Sequence, residues 1–184
     1  MPISGEGWEF YIVRKTVQRR ASDGRRRTVG TYQVYRDGVA QTGASMRGVT
    51  AEAKGPGANV PADNGKRIEE GRYTLWTQAP GNYATWNYSS SASVGAAPKP
   101  ALEVGDTADR YEILIHPGHD FLASVGCINL CTSLPDANEP IAYSSSRSRV
   151  IAVIGNLKNY LGADFPDRNG RKIPRAFLVI DGEP

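Results

Sequence analysis

The sequence predicts a mainly β fold with one or two helices, and three observations support this prediction. Short segments rich in aromatic and β-branched residues recur along the chain, separated by turn residues. The 184 residues include 20 Gly and 12 Pro, which favour turns and loops over a bundle of helices. Apolar residues recur at helical spacing only near the C-terminus. This length suits one domain, so we expect residues 1–184 to fold as a unit.

Five segments have the composition of strands. After the second segment, the Asp37-Gly38 turn signal predicts that residues 39–42 return as a hairpin partner. In the fourth segment, the alternation of side chains places Leu114 and His116 on one face. The five predicted strands are residues 8–15, 31–36, 71–77, 110–116 and 173–180.

The other segments divide into one helix and two irregular stretches. Residues 148–161 are predicted to form the helix, and Gly162 follows as its C-cap. Residues 50–66 have an irregular composition. Residues 78–109, rich in Gly, Ser, Ala and Pro, predict a long flap that carries aromatic side chains. This flap is either a surface segment pinned by those side chains or a lid or wall of a substrate site.

Composition and charge limit the classes of partner. The net charge is only +3, and two Cys are too few for a disulfide scaffold. No apolar run approaches the roughly 20 residues that span a bilayer, so we expect no membrane insertion. The opening residues, MPISGEGWEFYIV, have neither the basic nor the apolar region of a secretory signal. We therefore expect synthesis in the cytoplasm without a Sec signal.

Arginines cluster between the first two predicted strands, at Arg19-Arg20 and Arg25-Arg26-Arg27. Basic loops neutralise phosphates. No aromatic residue interleaves this cluster and no nucleic-acid motif accompanies it, so we expect no nucleic-acid partner. A solvated loop and a contact with an anionic cell-wall polymer or an acidic partner remain open.

Both His and both Cys of the chain lie within residues 116–131. Cysteine attacks as the thiolate, and a nearby imidazole can take its proton and hold the ion pair. We interpret Cys127 as the candidate nucleophile and His116, at a strand end, as the candidate base. Gly126 lets the backbone turn tightly and aim amide N–H groups at an oxyanion, an effect worth about 3–4 kcal/mol per donor.

Two other interpretations of these four residues remain open. His-x2-His followed by Cys-x3-Cys supplies four ligands that suit zinc. In the second interpretation they are two histidines in turns and two buried cysteines, and none of the four takes part in a reaction. A Cys127–Cys131 disulfide is disfavoured in a protein of cytoplasmic origin, and Cys131 is predicted to be a small buried hydrophobic residue.

The residues around Cys127 resemble a known catalytic motif. The pattern IHPG at residues 115–118, followed by SVGCIN at residues 124–129, is similar to that of L,D-transpeptidases of the YkuD type. Residues 68–75 resemble the Pro-x-Gly-x-Tyr/Phe strand of that family, and residues 32–39 resemble its hairpin. Two departures, Val125 in place of the usual His and a short spacing between His and Cys, are more similar to compact toxins of type VI secretion and to phage-associated relatives.

The resemblance implies a fold and a set of site residues. The fold is an L,D-transpeptidase-like mixed β-sheet or sandwich, with the nucleophile on a loop after a central strand. Cys127 is the nucleophile and His116 the base, with no metal and no cofactor. The residues that support the motif and the oxyanion turn are Ser124, Gly126, Gly118 and Asn129, with Gly118 allowing close approach beside the His. Secondary site positions are His119, Tyr83 and Trp86.

The resemblance also implies a function, namely acyl transfer on the tetrapeptide stems of peptidoglycan. Such an enzyme acts as an L,D-carboxypeptidase, as an L,D-transpeptidase with D-amino acid exchange, or as both. We expect it to act in the periplasm of a target cell after specialised secretion or phage delivery, as an antibacterial effector. An immunity protein or a secretion-system component is the expected protein partner. The alternative is a zinc-binding or non-catalytic module of the cell wall or of a phage structure.

Overall fold

The computed structural model of the chain describes residues 2–79 and 81–184, in which eleven strands, one α-helix and one 3₁₀ turn occur. In chain order these are β1 (Trp8–Arg19), β2 (Arg26–Arg36), β3 (Val39–Ala40), β4 (Arg47–Glu52), β5 (Gly71–Thr77), β6 (Tyr83–Ala84), β7 (Lys99–Pro100), β8 (Leu102–Val104), β9 (Ile113–Pro117), β10 (Ile128–Cys131), α1 (Tyr143–Leu161), the 3₁₀ turn Gly162–Asp164 and β11 (Lys172–Asp181). The prediction of a mainly β fold is therefore confirmed.

Eight strands form one sheet that closes on itself. The order is β1-β11-β5-β8-β9-β10-β4-β2, and β2 pairs again with β1 to complete a barrel. The sheet is mixed, as expected, because β1–β11 and β9–β10 are parallel while the other pairs are antiparallel. It is a closed barrel rather than a two-sheet sandwich. Closure pairs every edge of these eight strands, and the long β1 provides it by pairing on both sides.

The core combines one face of the barrel strands with one face of α1. Along β1 the alternate residues Trp8, Phe10 and Ile12 have no exposed surface. The helix adds Val153 and Leu157 to the same cluster, and both are fully buried. Because α1 packs against β9 and β10, it forms a rigid support for the two strands that carry the candidate site. None of the helices in the described chain combines the length and the apolar character that a membrane crossing requires.

A buried polar network ties the barrel to the C-terminus. Arg14 donates to both oxygens of the Glu52 carboxylate, at 3.1 and 2.7 Å, and neither side chain has exposed surface. Arg14 and Arg67 also pair with Glu183, at 2.9 and 2.6 Å. These pairs satisfy charges that would otherwise be costly to bury.

Three segments differ from the predictions. Residues 47–52 form β4, although residues 50–66 are predicted to be irregular, and the predicted flap over residues 78–109 contains the barrel strand β8. The helix begins at Tyr143, five positions before the predicted start at 148. These short strands are held by pairing with their neighbours, which local composition does not reveal.

Candidate active site

Cys127 and His116 line the same cavity, whose volume is about 530 Å³. Its lining includes residues at the start of the flap, namely Gln78, Ala79, Gly81, Asn82 and Tyr83, and residues of the segment before β10. Gln78 is buried and its Oε1 has no hydrogen-bond partner in the described chain. A buried acceptor without a partner is costly, so this oxygen lowers the stability of the unliganded chain.

Cys127 immediately precedes β10, and its half-buried thiol is held by the backbone of the neighbouring strand. Its Sγ lies 3.3 Å from the backbone N of Leu114 and 3.5 Å from the carbonyl O of Glu112. Burial raises the pKa of the thiol, and this outweighs the lowering by the Leu114 N–H and by Arg110. The unliganded site therefore holds a neutral thiol at pH 7.

His116 lies on β9, with 2% of its surface exposed. Its Nδ1 is 2.9 Å from the Pro117 carbonyl O, which assigns the proton to Nδ1 and leaves a lone pair on Nε2. The Tyr83 ring packs on the imidazole at a centroid distance of 4.6 Å. Burial lowers the pKa of His116 to about 4. The imidazole is neutral at pH 7, so the Cys127–His116 pair does not rest as the expected ion pair.

Asn129 connects the base to the loop that precedes the nucleophile. It lies directly opposite His116 in the parallel β9–β10 ladder, and its amide N is 3.4 Å from His116 Nε2. Its Oδ1 accepts a hydrogen bond of 3.1 Å from the Ala123 N–H. A Cβ at Gly118 would lie 2.7 Å from the Asn129 side chain. The close approach that Gly118 allows is thus to Asn129, which in turn orients the imidazole.

The turn before Cys127 is closed by Ser124. The Ser124 hydroxyl donates to the Cys127 carbonyl O at 2.6 Å and accepts from the Gly126 N–H at 3.0 Å. Gly126 has φ +144°, and a Cβ there would overlap the guanidinium of Arg110. Both its backbone conformation and the close approach of Arg110 require glycine at this position.

Arg110 is a site residue that the sequence reasoning missed. It is 6% exposed, and its guanidinium donates to the carbonyl O of Lys66 at 2.8 Å, of Ala58 at 3.2 Å and of Val125 at 3.3 Å. Among the described residues it forms no salt bridge with a carboxylate. Its positive charge therefore acts on the cavity, where it lowers the pKa of Cys127. A lone Arg before a strand carries no sequence signal for this role.

Of the three secondary positions, only Tyr83 lines the cavity. Trp86 instead packs on Phe165 at 5.7 Å between ring centroids, and its Nε1 donates to Pro166 O at 2.8 Å. It anchors the flap near the end of α1, since its side chain is bonded and stacked there. His119 is also outside the cavity lining, and its Nδ1 lies 2.8 Å from Asp120 Oδ2 in the segment after β9.

The four residues considered as zinc ligands are not brought together. Cys131 lies in a separate apolar cluster with Leu134 and Ile141, and burial raises its pKa to about 12. Over residues 2–79 and 81–184, no group of three or more His, Cys, Asp or Glu side chains is placed to hold a metal ion. Cys127 and Cys131 are both free thiols. The zinc interpretation therefore has no geometric support.

Comparisons of the chain with protein-family models, with curated proteins and with solved structures give no match. The interpretation of the cavity consequently depends on its own residues and on the motif around Cys127.

Proposed function

We propose that the chain is a cysteine-dependent acyl-transfer enzyme that acts on the tetrapeptide stems of peptidoglycan. The observation that carries this proposal is the shared cavity of Cys127 and His116, with Arg110 behind the Gly126 turn. The motif resemblance supplies the substrate class, since the geometry alone is that of a thiol acyl-transfer site.

The first step is attack of the Cys127 Sγ on the carbonyl between the L-centre of the diamino acid and the terminal D-Ala. The thiol proton passes to His116 as the C–S bond forms, and the carbonyl electron pair moves to oxygen. Collapse of this oxyanion breaks the C–N bond, and His116 returns the proton to the departing amine of D-Ala. A thioester on Cys127 remains.

The second step transfers the acyl group to an acceptor. Water releases the shortened stem, a free D-amino acid gives exchange, and the amine of another stem gives a cross-link. In each case the acceptor attacks the thioester carbonyl and gives a proton to His116 as the new C–O or C–N bond forms. The C–S bond then breaks, and His116 passes that proton to the departing Cys127 sulfur. This substrate points to the periplasm of a target cell as the proposed site of action, with specialised secretion or phage delivery as the proposed route.

The resting charges of Cys127 and His116 support this order of proton transfers. With a neutral thiol and a neutral imidazole at rest, charge develops only as the C–S bond forms. Arg110 stands at the Gly126-Cys127 turn, where a positive charge favours both the thiolate and a nearby oxyanion. Ser124 holds the turn in place, and Asn129 orients the imidazole. The proposed mechanism needs no contact of either side chain with the substrate.

The test is incubation of the purified protein with tetrapeptide muropeptides, followed by mass spectrometry of both. Wild type should remove D-Ala from the muropeptides or carry a stem adduct, and Cys127→Ala should do neither. His116→Ala should be nearly as inactive. Cys131→Ala is the matched control, because its thiol lies in a separate apolar cluster, and it should keep most of the activity.

Each result decides the proposal. Products made by wild type and Cys131→Ala but not by Cys127→Ala establish the thiol mechanism, and their structures identify the acceptor. A folded wild-type protein that forms neither product nor adduct would overturn the proposal in favour of a non-catalytic binding module.

A further inference from the structure

A second, basic groove adjoins the candidate active site. It has a volume of about 350 Å³, and its charged lining residues are Arg25, Arg26 and Lys54. None of the other residues that line it is acidic: they are Gly24, Ala53, Gly65, Leu122, Ser124 and Val125. The groove is therefore a concave surface of one sign of charge, which suits an anionic group.

The arginine cluster is divided between structural and free side chains. Arg27 is buried and donates to three backbone carbonyl oxygens at 2.8–2.9 Å, and Arg20 is paired with Asp23. Both guanidinium groups also pack on the Phe121 ring, at 4.6 Å from its centroid. These contacts account for two of the arginines without a ligand.

The groove residues have unused donors. Within residues 2–79 and 81–184, neither the Arg26 guanidinium nor the Lys54 ammonium has a hydrogen-bond or ion-pair partner. The Arg25 guanidinium makes one hydrogen bond, of 3.3 Å to Leu122 O, and keeps its remaining donors. Three cationic residues thus line one concavity, and the side-chain nitrogens of two of them have no partner in the described part of the chain.

The groove lies next to the catalytic cavity, because Ser124 and Val125 line both. Val125, which lines both, is 75% exposed. It is two positions from Cys127, so their Cα atoms are at most about 7 Å apart. A peptide with its reacting carbonyl at Cys127 can therefore reach the groove within one or two residue lengths.

We propose that this groove is a subsite for a carboxylate of the stem peptide, the free α-carboxylate of the isoglutamyl residue that precedes the diamino acid. The inference rests on the proposed function and adds a substrate preference to it, for acidic stems over stems amidated at that carboxylate. Arg26 and Lys54 bind the carboxylate by charge-assisted hydrogen bonds, and an amide in its place loses the ionic part of that interaction.

The experiment compares two tetrapeptide stems that differ only at this position, one with isoglutamate and one with isoglutamine. KM and kcat are measured for wild type, for the double variant Arg26→Gln/Lys54→Gln and for the control Lys15→Gln/Arg47→Gln. The control removes two exposed positive charges outside the groove. We expect the groove variant to raise KM for the acidic stem about tenfold, the scale of one partly exposed charge-assisted hydrogen bond, with kcat and the amidated stem little changed.

A binding measurement separates this proposal from the proposed function. Cys127→Ala cannot turn over, so calorimetry of this variant with each stem reports recognition alone. Tighter binding of the acidic stem, lost when Arg26→Gln/Lys54→Gln is added, supports the subsite even if wild type shows no turnover. Equal binding of the two stems, an equal loss on both in the groove variant, or the same loss in the Lys15→Gln/Arg47→Gln control would overturn it.

Discussion

His116 is a buried base, and its protonation should oppose folding. Burial lowers its pKa from the ordinary 6.5 to about 4. The unfolded chain therefore takes up a proton near pH 6.5, whereas the folded chain does so only near pH 4. The contribution of the neutral imidazole to stability is fully present above pH 6.5 and is lost as the pH falls toward 4. The substitution His116→Gln removes this titration from both states and keeps a polar side chain.

The size of the effect follows from the two pKa values. A lowering from 6.5 to about 4 corresponds to about 3 kcal/mol of unfolding free energy once the pH is below both values. At pH 4.5 most of it, about 2.5 kcal/mol, is already lost. For a chain of this length, this is a shift in melting temperature of about 5–10 °C. Carboxylates titrate in the wild type and in the variant alike, so they cancel when the two are compared.

The assay is urea denaturation followed by tryptophan fluorescence, at pH 7.5, 5.5 and 4.5. The stability advantage of wild type over His116→Gln should shrink by about 2.5 kcal/mol between the highest and lowest pH. His119→Gln is the control, because it replaces the other histidine of the chain at a position where the side chain is 39% exposed. A constant difference between wild type and His116→Gln across this range would refute the conclusion that the imidazole is buried in its neutral form.

Three further predictions concern the same cavity and the barrel that holds it. Arg110→Gln should raise the pH midpoint for alkylation of Cys127 by iodoacetamide, because the thiolate loses the buried positive charge that lowers its pKa; an unchanged midpoint would remove Arg110 from the site. Gln78→Leu should leave the melting temperature unchanged or raise it, since its buried Oε1 has no partner in the described chain; thermal melts test this, and a clear drop would contradict the account. Glu52→Gln should destabilise the fold by about 3 kcal/mol or more, because it leaves part of a fully buried charge uncompensated; a loss below about 1 kcal/mol in urea titrations would contradict that account.

The strands that composition predicts are those with large apolar faces. Trp8, Phe10 and Ile12 alternate along β1, and the AFLVI run of residues 176–180 lies in β11, so their burial is visible in the sequence. The short strands β4, β8 and β10 have no such pattern. Their backbone is fixed by pairing with strands distant in the chain, as in Asn129 opposite His116, and barrel closure by β1 and β2 is equally non-local.

The chemistry of the site divides in the same way. His116 and Cys127 could be selected from the sequence, because they are rare residues in a motif with a Gly turn. Arg110 could not, because its role depends on the approach of its guanidinium to Gly126, and no local pattern encodes that contact. The prediction of Trp86 as a secondary site position was also limited by a contact that is distant in the chain. An aromatic side chain in a Gly-rich segment signals an anchor, and its partner Phe165 is 79 positions away.

The resting charge state constrains how the cavity can act. The pKa values of Cys127 and His116 are shifted in opposite directions, both against ionisation, so proton transfer between them in the empty site is unfavourable. A preformed thiolate reacts readily with any electrophile, whereas in the proposed mechanism the charge on this neutral pair develops as a bound substrate supplies an electrophilic carbon and accepts it. The Tyr83 ring packs on His116 and contributes to the burial that keeps the imidazole neutral. The positive charge of Arg110 beside the turn favours the negative charge once it forms. Selectivity for substrate would then arise from the chemical step itself and not only from binding.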